Sequence, residues 1–242
     1  KDMKNIELNS PEKIIDESIE AQEELLNGFW GAKDKINVDK LEEAYEPKHA
    51  AISLSGEPML YERMPELVKE FHDRDMTTFI VTNGTLPEKI KKSRDNNALP
   101  TQLYVSLTAP DMETYQSLNV PFDKEYWNKL KHTLKILNNL DTRTVIRLTL
   151  VEHENMHSLE KYAELIKKAN PMFIEPKSYM YVGYSRKRLE EKNMPSNIKI
   201  KEFTKELLKY LPNYHIEDKQ EQSHVILLMR DDLNEEDRFI NL

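Results

Sequence analysis

Five times along this chain a short apolar run stops at a polar cluster, and an amphipathic stretch follows. The runs lie near 50–54, 78–81, 103–107, 145–151 and 172–176; the clusters are Ser55 to Pro58, Thr82 to Thr85, Ser106 to Pro110, Glu152 to Asn155 and Lys177 to Tyr179. Short apolar runs of this length read as strands buried on both faces, as in a parallel sheet, and the stretches between them carry apolar residues at helical spacing. Strands alternating with helices, about 20 to 40 residues apart, are repeated βα units. A barrel gathers every strand's C-terminal end into one ring, whereas a doubly wound sheet gathers them only at its switch point. Polar clusters after all five runs therefore favour a partial (β/α) barrel. With no internal repeat and no low-complexity linker, residues 1–242 are expected to form one domain.

The helices are expected after Ser10-Pro11, from about Tyr61 to Asp73, near Pro87 to Ser93, from Asp111 to Leu118, from Lys124 to Leu140, from an Asn155 cap to Ala169, and from Ser196 to Leu211. Ser10, Asp111, Asn155 and Ser196 are N-cap residue types, and Pro11 suits the first helical position. A sixth strand is expected at 224–230, at the sheet edge, and an acidic, solvated tail beyond it.

The chain has 32% charged residues and no cysteine. That excludes disulfides, cysteine nucleophiles, and zinc or iron-sulfur ligation by thiolates within these residues. No run approaches a membrane span and the start has no signal-peptide core, so a cytoplasmic protein is expected. The first element is a helix with no strand before it, and residue 1 is Lys. A further segment upstream of Lys1 is therefore expected.

The stretch Ala50-Ala51-Ile52-Ser53-Leu54-Ser55-Gly56-Glu57-Pro58 ends a strand in a cluster fit for a ligand: Gly56 permits close backbone approach, and Pro58 blocks the strand from continuing. A plain helix cap by Glu57 explains the same residues. His153-Glu154-Asn155-Met156-His157 matches the zinc-protease pattern, which needs both histidines one turn apart on a helix. Here His153 follows directly on a strand and Asn155 is the expected cap, so the match is read as a decoy. No phosphate-binding glycine loop or nucleophile elbow is present.

The net charge of −8 disfavours generic nucleic-acid binding, but it is uneven. Lys177 to Lys201 holds seven basic residues against two acidic, a local +5 that leaves −13 elsewhere. Tyr179, Tyr181 and Tyr184 share this loop, whose irregular part spans 177–195. Basic residues mixed with aromatics suit RNA, and a solvated loop is the competing reading.

The ordered set Ser-Gly-Glu-Pro (55–58), Thr-Asn-Gly-Thr (82–85), Gln-Leu-Tyr-Val-Ser-Leu-Thr-Ala-Pro (102–110), Thr-Val-Ile-Arg-Leu-Thr-Leu (144–150) and Val-Gly-Tyr-Ser-Arg (182–186) resembles the radical S-adenosylmethionine (SAM) enzymes of the tRNA 4-demethylwyosine synthase family, archaeal type. The resemblance runs in order along nearly the whole chain. It implies a partial (β/α)6-type radical SAM barrel lacking its first strand and cluster loop. It also implies a 4Fe-4S cluster and a second cluster, both ligated by cysteines upstream of Lys1, and a lyase of wybutosine biosynthesis. Such an enzyme condenses N1-methylguanosine beside the anticodon of a phenylalanine-type tRNA with pyruvate, supplied with electrons by a flavodoxin or ferredoxin.

By the same resemblance Gly56 and Glu57 would meet the amino group of SAM, with Ser55 also cofactor-binding, Asn83 and Ser106 would lie along its ribose and methionine, and Arg147 would pair with its carboxylate. Tyr184, Arg186, Lys187 and Arg188 would contact tRNA. The pyruvate-binding lysine is expected upstream, with Lys177 the candidate within this chain. Where the family often has Asp after Ser-Leu, this chain has Thr108. Another radical SAM enzyme, and a cluster-free RNA-binding barrel, are the alternatives.

Overall fold

The computed structural model describes residues 8–53 and 56–240. Among them, helix α1 (Pro11–Asn27) starts at Ser10, whose side chain accepts from Lys13 N, and a short α2 (Val38–Ala44) starts at Asn37 in the same way. There follow β1 (His49–Ile52), α3 (Met64–Asp73), β2 (Thr77–Thr82), α4 (Pro87–Asp95), β3 (Gln102–Ser106), α5 (Met112–Asn119), α6 (Tyr126–Leu137), β4 (Arg143–Leu150), α7 (Leu159–Ala169), β5 (Phe173–Ser178), α8 (Asn197–Leu208), β6 (Tyr214–Gln220) and β7 (Val225–Arg230).

The strands form one sheet in the order β1-β2-β3-β4-β5-β7-β6. The first five are parallel and strictly sequential, while β7 and β6 pair antiparallel. Sequential parallel strands joined by right-handed crossovers put every connecting helix on one face, so the sheet winds as a partial (β/α) barrel with no switch point. The outward-facing residues Ile80, Leu103, Val105, Ile146, Leu148 and Ile174 share the main core with Leu130, Leu134, Tyr162, Ile166 and Phe203 from the helices. Alternation along the strands turns the opposite set inward. There Tyr104, Val145, Phe173 and Met229 form a second, smaller cluster that closes the lower part of the concave face.

Two expectations change. Residues 224–230 do form a strand, but it lies inside the sheet, and the edge belongs to β6, which the sequence reading missed. Edge strands carry charge to discourage pairing with other chains, so Tyr-His-Ile-Glu-Asp-Lys-Gln lacks the apolar signal of a buried strand. Asn155 is not a helix cap: α7 begins at Leu159 after Ser158, which sits in the left-handed conformation. Asn155 is instead fully buried. Its Oδ1 accepts from Val151 N at 2.6 Å, and its Nδ2 donates to Thr108 O and Thr149 O, each at 2.8 Å. It therefore stitches the end of β3 to the end of β4 by satisfying backbone groups that the sheet no longer pairs.

Candidate functional site at the strand ends and inner face

At the rim, Glu57 is the hub of the β1 and β2 ends. Its Oε1 accepts from Thr82 Oγ1 at 2.6 Å and from Met59 N at 3.1 Å, and its Oε2 accepts from Asn83 N at 2.8 Å. The carboxylate caps the short 3-10 turn Pro58–Leu60 and knits two strands together, while one Oε2 lone pair is left for a ligand cation. Gly56 is exposed with φ +82°, and a Cβ there would meet nothing, so the need for glycine is conformational. Ser55 lies outside the described residues. Asn83 closes its own turn, its Oδ1 accepting from Thr85 N at 2.9 Å and Thr85 Oγ1 at 2.7 Å, and its side chain stands exposed. Gly84 presses this turn onto α6: a Cβ would fall 2.7 Å from Leu130 and 3.0 Å from Val105.

On the inner face, Ser106, Arg147 and Glu175 stand side by side in register across β3, β4 and β5. Arg147 Nε donates to Glu175 Oε1 at 2.9 Å and Nη2 to Oε2 at 3.3 Å, a two-point pair that fixes the plane of the guanidinium. That guanidinium lies 4.5 Å from the centre of the Tyr104 ring, one row below. Burial, reinforced by the charge of Glu175, pushes the Tyr104 hydroxyl well above the ordinary phenol range, so it stays a proton donor. One row above, the Lys177 ammonium has no hydrogen bond or ion pair among the described residues, although its backbone is paired in the sheet. With Tyr104, Glu175, Asp218, Lys219 and Gln220 it lines a hollow of about 330 Å³ between the inner face and the β6–β7 hairpin.

β5 runs through Lys177 to Ser178, and the basic loop leaves the strand from Tyr179. Tyr179 OH donates to Ser185 Oγ at 2.9 Å, anchoring a 3-10 turn at Gly183–Lys187. Arg186 stacks on Tyr181 at 5.1 Å and Lys187 on Tyr184 at 4.8 Å, both cations remaining exposed. Arg188 is committed to the fold: Nη1 donates to Leu118 O at 2.7 Å, tying the loop to the end of α5. His153 (φ +69°) and His157 both precede α7, so the HExxH residues share no helical face.

The structure thus joins Glu57 to Asn83 and Ser106 to Arg147, and places Lys177 above them. Tyr104 and Glu175 were missed from the sequence. The available signal was a carboxylate directly after the apolar Phe173-Ile174 pair; its pairing with Arg147 became visible only with the register of β4 and β5.

The family models match in the same order as these elements. The radical SAM superfamily model covers residues 35–166, and the model for wyosine base formation covers 168–230. The tRNA 4-demethylwyosine synthase of Pyrococcus abyssi is 57% identical over 96% of this chain and 68% of its own length. The chain belongs to the tRNA 4-demethylwyosine synthase family. The Methanocaldococcus jannaschii synthase is 41% identical over 91% of the chain and 68% of its own length, and the human one 33% identical over 91% and 30%. Two solved structures superpose closely. One, TYW1 with a lysine-pyruvate adduct bound, gives a TM-score of 0.84 at 37% identity over 96% of this chain and 73% of that one; the other, archaeal TYW1, gives 0.80 at 36% over 96% and 74%.

Membership in this family implies SAM and a 4Fe-4S cluster. The strand-end residues fit SAM: a carboxylate with a spare lone pair, the exposed Asn83 amide, the half-buried Ser106 hydroxyl, and an arginine with N–H donors beyond those that bind Glu175. The cluster does not fit these residues, because 242 residues without cysteine supply no thiolate. No helix among the described residues is long and apolar enough to cross a membrane.

Proposed function

We propose that this chain is the SAM- and RNA-binding barrel of a tRNA 4-demethylwyosine synthase, which condenses N1-methylguanosine beside the anticodon with pyruvate. The observation that carries the reading is the Ser106–Arg147–Glu175 row beside the Glu57–Asn83 rim, on a chain whose successive segments 35–166 and 168–230 match the two family models in order. Bound SAM supplies the hydrogen-abstracting chemistry, and the protein supplies position. Glu57 offers its free Oε2 lone pair to the ammonium of SAM. Asn83 and Ser106 offer polar contacts to its ribose and methionine. Arg147, its plane held by Glu175, offers its remaining N–H donors to the carboxylate. The pyruvate-binding lysine is expected upstream of Lys1; within this chain Lys177, whose side chain lines the hollow, is the candidate amine, and the loop carrying Tyr184, Arg186 and Lys187 is the candidate tRNA contact. Lys177 is supported by its place on β5 two residues after Glu175, and the loop residues by their exposed charge and rings shortly after that strand ends.

The test is genetic and chemical. The full-length protein bearing this sequence is expressed in a strain deleted for its own synthase, and tRNA nucleosides are analysed by mass spectrometry. 4-Demethylwyosine is expected to appear at the expense of N1-methylguanosine. Unchanged N1-methylguanosine, with the protein soluble and its cluster reconstituted, would overturn the assignment.

A further inference from the structure

Phe122 is fully exposed, and the backbone on both sides of it is constrained. Before it, Val120 ends α5 in the left-handed conformation (φ 47°, ψ 58°), where a β-branched residue is an outlier, and Pro121 fixes the next φ. After it, Asp123 accepts from Glu125 N at 2.9 Å and from Lys129 Nζ at 2.7 Å, locking the turn to the start of α6. The segment returns to the strand ends, since Asn119 Nδ2 donates to Thr108 Oγ1 at 2.8 Å just past β3. It is also tied to the basic loop by Arg188, which binds Leu118 O in the last turn of α5, four residues before Phe122. An aromatic ring projecting into solvent on a stiff support, linked to exposed Tyr184, Arg186 and Lys187, combines the two parts of a single-strand RNA site: a stacking surface and neighbouring cations.

We propose that Phe122 is a stacking platform for an unpaired base of the anticodon loop, with Arg186 and Lys187 taking the flanking phosphates. The inference rests on the tRNA reading above and adds a recognition element to it. Stacking is indifferent to salt, whereas phosphate contacts are not, so the two contributions separate experimentally.

The full-length enzyme is titrated with two RNAs of equal charge: an anticodon stem-loop carrying 2-aminopurine in the loop, and a fully paired duplex. Phe122→Ala is expected to weaken stem-loop binding about ten-fold and abolish the quenching of 2-aminopurine, while leaving the duplex affinity and the salt slope unchanged. Phe122→Trp should retain wild-type binding and quenching. Because the ring is exposed, thermal unfolding should not move in either variant. Wild-type stem-loop affinity in Phe122→Ala, or equal losses for both RNAs, would overturn the proposal. So would intact RNA binding with slowed reduction by a protein electron donor, which would assign Phe122 to a protein surface. A wild-type enzyme that binds neither RNA would instead remove the tRNA reading itself.

Discussion

Two residues apart on one face of β5, Glu175 and Lys177 have opposite situations. Glu175 is buried and locked to Arg147, while Lys177 stands at the hollow without a partner among the described residues. A paired carboxylate fixes geometry, and an unpaired amine is available for chemistry. If Lys177 takes pyruvate, its nitrogen bonds to the ketone carbon, water leaves, and borohydride reduces the resulting imine to a stable secondary amine. Incubation of the full-length enzyme with pyruvate and borohydride should then mark the peptide containing Lys177, and Lys177→Met should lose the mark. A mark on another lysine, retained in Lys177→Met, would move the pyruvate site elsewhere and leave Lys177 to binding. Glu175 has a different role. Removing it would leave the Arg147 guanidinium half-buried without its counter-charge, so Glu175→Ala is expected to lower SAM affinity through loss of orientation. Calorimetry showing unchanged affinity would restrict Glu175 to stability.

Among the elements, the link between α5 and α7 is electrostatic. Burial pushes the Asp111 carboxyl up, but the Lys161 ammonium at 2.8 Å and the Thr114 N–H outweigh it and hold the group down at about 2. The unfolded chain titrates near the ordinary 3.8, so below that value it takes up a proton that the folded chain refuses. The stabilisation is therefore complete above about pH 4 and disappears as pH falls through about 2. Asn at this position keeps the N-cap and removes the charge. Wild type should exceed Asp111→Asn by about 1 kcal/mol at neutral pH, after allowance for solvent screening, with the gap closing on the acid side. A pH-independent gap in urea unfolding would show that the pair contributes nothing through its charge. The elements themselves were legible wherever burial writes a signal. The five parallel strands appear as apolar runs, and α1, α5 and α8 begin at the caps read from Ser10, Asp111 and Ser196. β6 was not legible because its edge position selects charge, and α7 was misplaced because an asparagine that bonds buried backbone looks like one that caps a helix.

For the whole molecule, a strand-end site is partly readable from sequence, because Gly, Pro and polar residues must follow each strand. That is how Glu57 and the Thr82 to Thr85 cluster stood out, while Asn83 was named as a site residue through the family resemblance. Tyr104 and Glu175 did not, since their meaning depends on which strands adjoin and in what register, information carried by the sheet and by no single segment. Charge is also a property of the whole: the −13 outside the basic loop opposes a polyanion, yet its influence is screened over about 8 to 10 Å at physiological salt. A local +5 at the entry can therefore attract tRNA while the remaining surface keeps nonspecific nucleic acid away. The loop's three consecutive basic residues are not equivalent, because Arg188 spends a donor on Leu118 O, whereas Arg186 and Lys187 stack on their own tyrosines and face solvent. Replacing Arg186 and Lys187 together with Gln should weaken tRNA binding regardless of sequence and flatten the log-log salt dependence by about 1.5 units, the loss of two phosphate contacts. Arg188→Gln alone should leave the slope nearly unchanged and instead loosen the basic loop, visible as faster proteolysis within residues 179–195. SAM binding without tRNA should be unaffected in both. Filter binding across a salt series decides the matter: an unchanged slope in the double variant would return the loop to solvent and place the tRNA backbone on another face of the barrel.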